Sequence, residues 1–386
     1  MRPAPDAITR LPDQYFARLL AMTAAARAKP GPRFIELGRG NPDIPPPEHA
    51  LEALRAAALE TATPAVHVYP PFRGHPSLKE AIARRYASVH GVTLDPEREV
   101  AVIPGTKSGI VLACVALAGR GDTVLLPDPG YPDYPSGVAF AGAQAGTLPL
   151  DPAAAFQPDF AAASARDPAL VFLNYPSNPC ATCVRDGTFA EAVAFARERG
   201  CWLLHDLAYD GLAFDGHAAQ SVLAVEGASE VAVELWSPSK TYGMAGWRIG
   251  FLVGNAEVVE RVNTLIDHAT AGVWTGLQRG LEAALDGDQS LVEVRRQTYQ
   301  RRRDLLVGRL REAGAEIEPS EGTFYVWWKL PPGLTATALV EQHRLGVAGG
   351  EGFGERGAGW ARMSLALPDA DIEEAAERLA EVLERL

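Results

Sequence analysis

The stretch that decides the fold is Val100-Ala-Val-Ile-Pro-Gly-Thr-Lys-Ser-Gly-Ile-Val-Leu-Ala-Cys-Val-Ala-Leu117. Its first four residues are a run of apolar, mostly β-branched side chains, too short for a helix. Pro104-Gly105 then interrupts the chain, and a helical pattern follows over 108–117. Going outward, further short apolar runs occupy 123–126, 170–173, 201–205, 231–236 and 248–253, with another helical pattern at 187–199. Near-continuous apolar strands separated by helices predict a mostly parallel sheet covered on both faces. In such sheets ligands bind beyond the carboxyl ends of the strands.

Outside this region the pattern changes. Residues 11–28 and 48–59 read as helices, and the proline-rich run Asn41-Pro-Asp-Ile-Pro-Pro-Pro47 between them marks a boundary. After about residue 280 a long arginine-rich helix over 295–310, a strand at 323–329, a short strand at 361–365 and a closing helix at 372–386 suggest an α+β layer. The expected division is a large domain at 48–279 and a smaller one from 1–47 with 280–386.

Composition narrows the function. The 386 residues carry 36 Lys plus Arg against 48 Asp plus Glu, a formal charge of -12, with 47% hydrophobic and 22% charged residues. That is an ordinary globular balance, and a pI near 5.2 argues against nucleic acid as a partner. The start lacks an apolar signal core and no run approaches the length of a membrane span, so a cytoplasmic address without membrane attachment is expected. Cys114, Cys180, Cys183 and Cys201 do not form a disulfide framework. Cys180 and Cys183 make a C-x-x-C pair, readable as a redox dithiol or half a zinc site, but no further metal ligands sit at sensible spacing and no metal is expected.

Lysine is scarce: Lys29, Lys79, Lys107, Lys240 and Lys329 are all there are. Lys29, Lys79 and Lys329 read as solvated charge. The other two follow strands. Gly105-Thr106-Lys107-Ser108-Gly109 precedes a helix, which suits either a phosphate cradle or a plain helix cap. The strand at 231–236 runs into Ser237-Pro-Ser239-Lys240. The neighbouring strand ends in His205-Asp206, with Tyr209 beyond, and others end in Tyr131 and in Asn174-Tyr-Pro-Ser-Asn178. A buried Asp–Lys ion pair would explain two of these residues. All of them together suit a pyridine aldehyde bearing a phosphate. Such a group needs a primary amine (Lys240), an acid at the ring nitrogen (Asp206), donors to its phenolic oxygen (Asn178, Tyr209), an aromatic face (Tyr131) and a phosphate cradle (Thr106, Lys107, Ser237, Arg248).

On these segments, and on Leu37-Gly-Arg-Gly-Asn-Pro-Asp43, Tyr69-Pro-Pro-Phe-Arg-Gly-His-Pro76 and Ser237-Pro-Ser-Lys-Thr-Tyr-Gly-Met-Ala-Gly-Trp-Arg248, the chain resembles a class I/II aminotransferase of the fold-type I pyridoxal-phosphate family from about Leu11 onward. The resemblance implies a seven-stranded type of large sheet, pyridoxal 5'-phosphate as cofactor, and ping-pong transfer of an amino group between an L-amino acid and a 2-oxo acid. It makes Lys240 the Schiff-base lysine and proton shuttle, Asp206 the partner of the pyridinium nitrogen and Arg248 a phosphate ligand, with Gly105 also among the cofactor-binding residues. Tyr69 would reach the phosphate of a neighbouring subunit, implying a homodimer with shared active sites. Arg362, in Trp360-Ala-Arg-Met-Ser364, resembles the arginine that grips the substrate α-carboxylate, with Gly40 lending backbone. The family usually continues Asn-Pro with Thr-Gly, where this chain has Cys180-Ala181. No second arginine is evident for a distal carboxylate. Leu11-Pro-Asp-Gln-Tyr-Phe16, Asp128-Pro-Gly-Tyr-Pro-Asp-Tyr134 and Gly350-Glu-Gly-Phe-Gly354 look most like methionine-salvage aminotransferases, with LL-diaminopimelate and alanine-type branches close behind. An apolar or aromatic donor is expected, with Tyr15-Phe16 and Gly272-Val273-Trp274 near it.

Rival readings are a carbon–sulfur β-lyase on the same cofactor and a pyridoxal-phosphate-sensing regulator, which would need a basic winged-helix segment ahead of Leu11. Gly352-Phe-Gly-Glu-Arg-Gly357 matches a dinucleotide fingerprint in letters, but it leads into a strand where the fingerprint requires a helix. His205, beside Asp206, could act as a general base, but with Lys240 already supplying the base it reads as a core or ring-edge histidine with a satisfied nitrogen.

Overall fold

In the computed structural model, which describes residues 2–62, 64–317 and 320–386, the run Val100–Ile103 is a fully buried strand. Its side chains alternate: Ala101 and Ile103 enter the apolar layer on one face of the large sheet, Val100 and Val102 the layer on the other. Burial on both faces explains why the run shows no polar alternation.

Eight strands form that sheet among the described residues. In order across it they are Val100–Ile103, Gly250–Gly254, Ala232–Trp236, Trp202–Leu207, Leu170–Leu173, Thr123–Asp128, Gln144–Asp151 and the two-residue Gln157–Pro158. The strands from Ala232–Trp236 through Gln144–Asp151 are mutually parallel, while Gly250–Gly254 runs antiparallel to both neighbours. Leu173 stands opposite His205, and Asp206 opposite Leu235. Three strands therefore end side by side, each handing its next residues to the same rim.

The sequence pattern located most of this sheet but missed Gln144–Asp151 and the helices Pro76–His90, Ala256–Ala269 and Thr275–Asp286. The missed strand begins exposed and carries Gly146 and Pro149, residues that break up an apolar strand pattern and are tolerated near a sheet edge. Lys79 is a correction. It is buried on the unforeseen helix Pro76–His90, with its ammonium 3.3 Å from the Glu97 carbonyl and 3.5 Å from the Glu97 carboxylate.

A second region combines the antiparallel strands Tyr325–Lys329, Trp360–Ser364 and Ala348–Gly349 with the helices Ser290–Glu312 and Asp369–Leu383. The N-terminal strand Ile35–Glu36 pairs in parallel with Leu345–Gly346. That pairing carries Gly38, Arg39 and Gly40 over the rim of the large sheet. No helix among the described residues is long and apolar enough to cross a membrane.

Candidate active site

A cavity of about 380 Å³ opens where the strand ends meet the N-terminal segment and the strand Trp360–Ser364; Lys240, Asp206, Asn178, Tyr209, Tyr131, Arg248 and Arg362 all line it. They come from six separate stretches of chain, and the sheet topology converges them.

Lys240 sits in the short helix Pro238–Thr241, capped by the Ser237 hydroxyl, which accepts from Ser239 N. Its ammonium donates to the Gly40 carbonyl at 2.8 Å. Gly40 is required there, because a Cβ would stand 1.8 Å from the Tyr325 hydroxyl. Burial, with the charges of Arg362 and Arg248 nearby, lowers the Lys240 pKa to about 8. A usable fraction of neutral amine thus exists near neutrality.

Asp206 is buried at the end of its strand, and burial raises its pKa to about 6 against the hydrogen bond from Tyr134, 2.8 Å from Oδ2. The other oxygen, Oδ1, is buried and has no hydrogen-bond partner. An acceptor left bare in this way asks for a donor from the cavity.

Asn174 holds the turn after Leu170–Leu173. Its amide donates to the Asp206 carbonyl at 2.7 Å and its oxygen accepts from Asn178 N at 2.7 Å. Asn178 turns its own oxygen to Arg362 Nη1 at 2.7 Å. Its NH₂ group is thereby directed away from Arg362. Tyr209 donates to the Tyr325 hydroxyl at 3.3 Å, and burial keeps its phenol protonated far above neutrality.

Arg362 is buried with its guanidinium 4.0 Å from the Tyr325 ring and 4.8 Å from the Phe353 ring; its second terminal nitrogen donates to the Gly38 carbonyl at 3.0 Å. Its Nε has no hydrogen-bond partner. Opposite lies the N-terminus of the helix Thr106–Leu117, capped by Gly105 at φ 84°, where a Cβ would come within 2.6 Å of Arg248. Free helix amides, the Ser237 and Ser239 hydroxyls and Arg248 make an anion cradle. Lys107 lines the cavity, but its ammonium lies 2.9 Å from Asp133, so its contribution to an anion there is its main-chain N–H.

Three nominated residues lie elsewhere. Tyr15 points its hydroxyl at the Gly349 carbonyl and packs on Phe353, while its neighbour Phe16 lines the cavity. Tyr69 is 82% exposed, outside its own cavity. Trp274 likewise donates to the Val66 carbonyl and does not line it. Sequence reasoning passed over Arg39, Asn174 as an anchor, Tyr134, Ser239 and Tyr325; their roles depend on which segments fold together.

The sequence of 32–379 matches the family model for aminotransferase class I and II. The chain belongs to that family. It is 40% identical over 382 residues to the L-glutamine–4-(methylsulfanyl)-2-oxobutanoate aminotransferase of Bacillus subtilis, covering 97% of this chain and 95% of that one. It is 41% identical over 386 residues to the LL-diaminopimelate aminotransferase of Desulforudis audaxviator, covering 98% and 97%. The substrate-bound structure of BacF from Bacillus subtilis superposes with a TM-score of 0.92 at 37% identity, covering 99% and 98%. The protein is a pyridoxal-phosphate-dependent aminotransferase. Its residues fit that cofactor: the bare Asp206 oxygen suits a ring N–H, and the Gly105 cradle suits a phosphate.

His205 is buried as expected, its Nδ1 2.7 Å from Glu234 and its Nε2 3.0 Å from the Tyr175 carbonyl. All four cysteines are free and buried, and burial pushes the Cys183 thiol up to about 12, against a reactive dithiol.

Proposed function

We propose that the protein moves an amino group between an apolar, methionine-like L-amino acid and a 2-oxo acid, through Lys240. The observation that carries this reading is one cavity holding an amine with a lowered pKa, a bare buried carboxylate oxygen and a buried arginine. Apolar side chains at Phe16, Leu19 and Leu20 line the same cavity. The name of the Bacillus subtilis relative, which includes a methylsulfanyl oxo acid, supports the thioether choice.

Bound pyridoxal 5'-phosphate supplies an electron sink that acidifies the substrate α-carbon. Around it the chain's own groups divide the work. Arg362 grips the α-carboxylate and Asn178 orients Arg362. Lys240 Nζ, held at the Gly40 carbonyl, takes the α-proton and returns it. Asp206 keeps a ring nitrogen protonated, because an N–H⁺ donor beside Oδ1 favours the ionised carboxylate. With the cofactor bound, Asn178 and Tyr209, the latter turned from Tyr325, would offer donors to its phenolic oxygen, Tyr131 would supply an aromatic face, and the Gly105–Thr106–Lys107 turn with Ser237 and Arg248 would hold its phosphate.

The same reading takes 48–279 as the cofactor-binding domain and 1–47 with 280–386 as the smaller one, and places the enzyme in the cytoplasm. It makes the enzyme a homodimer in which Tyr69 completes the partner's phosphate site. The exposure of Tyr69 supports that arrangement.

The test is a screen of amino donors against the holoenzyme, following the visible band and the 2-oxo acid formed. Methionine and other apolar donors should discharge the band with one equivalent of 2-oxo acid per site, and give more only while an acceptor recycles the enzyme. Pyruvate and thiol released from a cysteine conjugate without any acceptor would identify a β-lyase instead.

A further inference from the structure

The arginine-rich helix Ser290–Glu312 buries three of its arginines, Arg295, Arg302 and Arg303. Arg302 pairs with Asp43 and Asp369, and Arg303 with Asp215 and Asp304. Arg295 differs. It is 0% exposed, forms no ion pair among the described residues, and gives its terminal nitrogens to main-chain carbonyls. Nη1 donates to Thr241 O at 2.6 Å, and Nη2 to Ile44 O at 3.1 Å and Pro45 O at 3.0 Å. A buried guanidinium is costly unless its donors are met, and an apolar side chain of like volume would fill the same space without that cost. The charge is explained by the carbonyls it joins.

Both sets of carbonyls belong to the site. Thr241 follows Lys240, and its hydroxyl donates at 2.7 Å to the carbonyl of Asp210, the residue after Tyr209. Ile44 and Pro45 lie just beyond Gly40, whose carbonyl accepts from the Lys240 amine at 2.8 Å. The same helix face secures Asp43, whose carboxylate accepts from Tyr299 at 3.0 Å and from Arg302 at 2.8 Å. Gly243 shows how closely the two segments approach. A Cβ there, at φ 70°, would stand 2.3 Å from the Ile44 carbonyl oxygen and 2.8 Å from Arg295 Nη2. Arg295 therefore bridges the backbone that carries the lysine and the backbone that holds its amine.

We propose that Arg295 is a positioning residue for the proton shuttle, fixing the root of Lys240 against the Gly40 carbonyl by clamping Thr241 to Ile44 and Pro45. When the substrate C–H bond breaks, its proton passes to Lys240 Nζ and its electron pair to the bound cofactor, so the amine must reach the carbon from a fixed root. A displacement of about 1 Å in such a group costs about 100-fold in rate. This rests on the reading of Lys240 as the group that moves the α-proton.

Arg295→Lys is the main variant, because it keeps a buried cation but lacks the fork that spans both sets of carbonyls. Arg295→Met removes the donors altogether; if it fails to fold, Arg295→Lys decides. Per cofactor-loaded site, Arg295→Lys should lower kcat about 10- to 100-fold with the donor KM unchanged, and should raise the isotope effect of an α-deuterated donor that the wild type accepts. In cofactor-free protein, amide hydrogen exchange should quicken by about 10- to 100-fold at 41–44 and 239–244 together, with 106–117 unchanged. A loss confined to the urea midpoint, with the rate per loaded site and the isotope effect as in wild type, would make Arg295 structural only and overturn the proposal. So would a raised KM at constant kcat, or faster exchange at one of the two segments alone. Undiminished loss of α-deuterium in a Lys240→Ala holoenzyme would instead overturn the reading of Lys240 itself, whatever the Arg295 variants do.

Discussion

Asp206 pays for its position in the absence of cofactor. Its pKa of about 6 lies above the ordinary carboxylate value of 3.8, so between those pH values the folded protein binds more protons than the unfolded chain. Stability of the cofactor-free protein therefore falls as pH rises through that window, by about 3 kcal/mol in all. Asp206→Asn should raise the urea midpoint of cofactor-free protein at pH 8, with the gain vanishing by about pH 4, while lowering kcat/KM of the holoenzyme about 10²- to 10³-fold. At Lys240 the sign runs the other way, since burial and two arginines hold its pKa down to about 8. The rate at which cofactor-free protein captures pyridoxal 5'-phosphate should rise with pH through that value. Arg362→Leu removes one of the cations and should move the midpoint upward. Lys240, Asp206 and Asn178 were legible in the sequence because a strand end needs no such polar residue for folding. Arg39, Tyr134 and Tyr325 were not, because an arginine between glycines or a tyrosine beside apolar residues has many uses until the fold chooses one.

The elements that carry the site are short strands whose composition follows from burial on both faces, and this is why most of the large sheet could be read from apolar runs alone. Gln144–Asp151 escaped because most of it is not buried, so its pattern resembles a loop. The α+β region was read by its strands, yet the parallel pairing of Ile35–Glu36 with Leu345–Gly346 joins residues some 300 positions apart and leaves no local signal. The helix Thr106–Leu117 depends on its Gly105 cap at φ 84°, with Arg248 crowded against it. Gly105→Ala should destabilise the fold by about 1–3 kcal/mol, measured by urea unfolding. It should also weaken pyridoxal 5'-phosphate while leaving pyridoxal, which lacks the phosphate, less affected.

At the scale of the whole molecule, Tyr69 and Lys240 lie in one chain but are assigned to two different sites of a dimer. Tyr69→Phe and Lys240→Ala subunits, each nearly inactive alone, should on mixing recover about a quarter of wild-type sites, since half the random dimers carry one intact site. No recovery after verified subunit exchange would contradict the shared-site arrangement. The scarcity of lysine makes the central claim directly measurable. Of five lysines, Lys79 is buried against Glu97, Lys107 pairs with Asp133, and, among the described residues, Lys240 alone lines the cavity with Asp206 while its amine is free of any carboxylate partner, bonded only to the Gly40 carbonyl. Holoenzyme reduced with borohydride, digested and mapped by mass spectrometry should carry the pyridoxyl phosphate mass on the peptide containing Lys240 and on no other. The same mass on the peptide of Lys107, or on none of the five, would contradict the account.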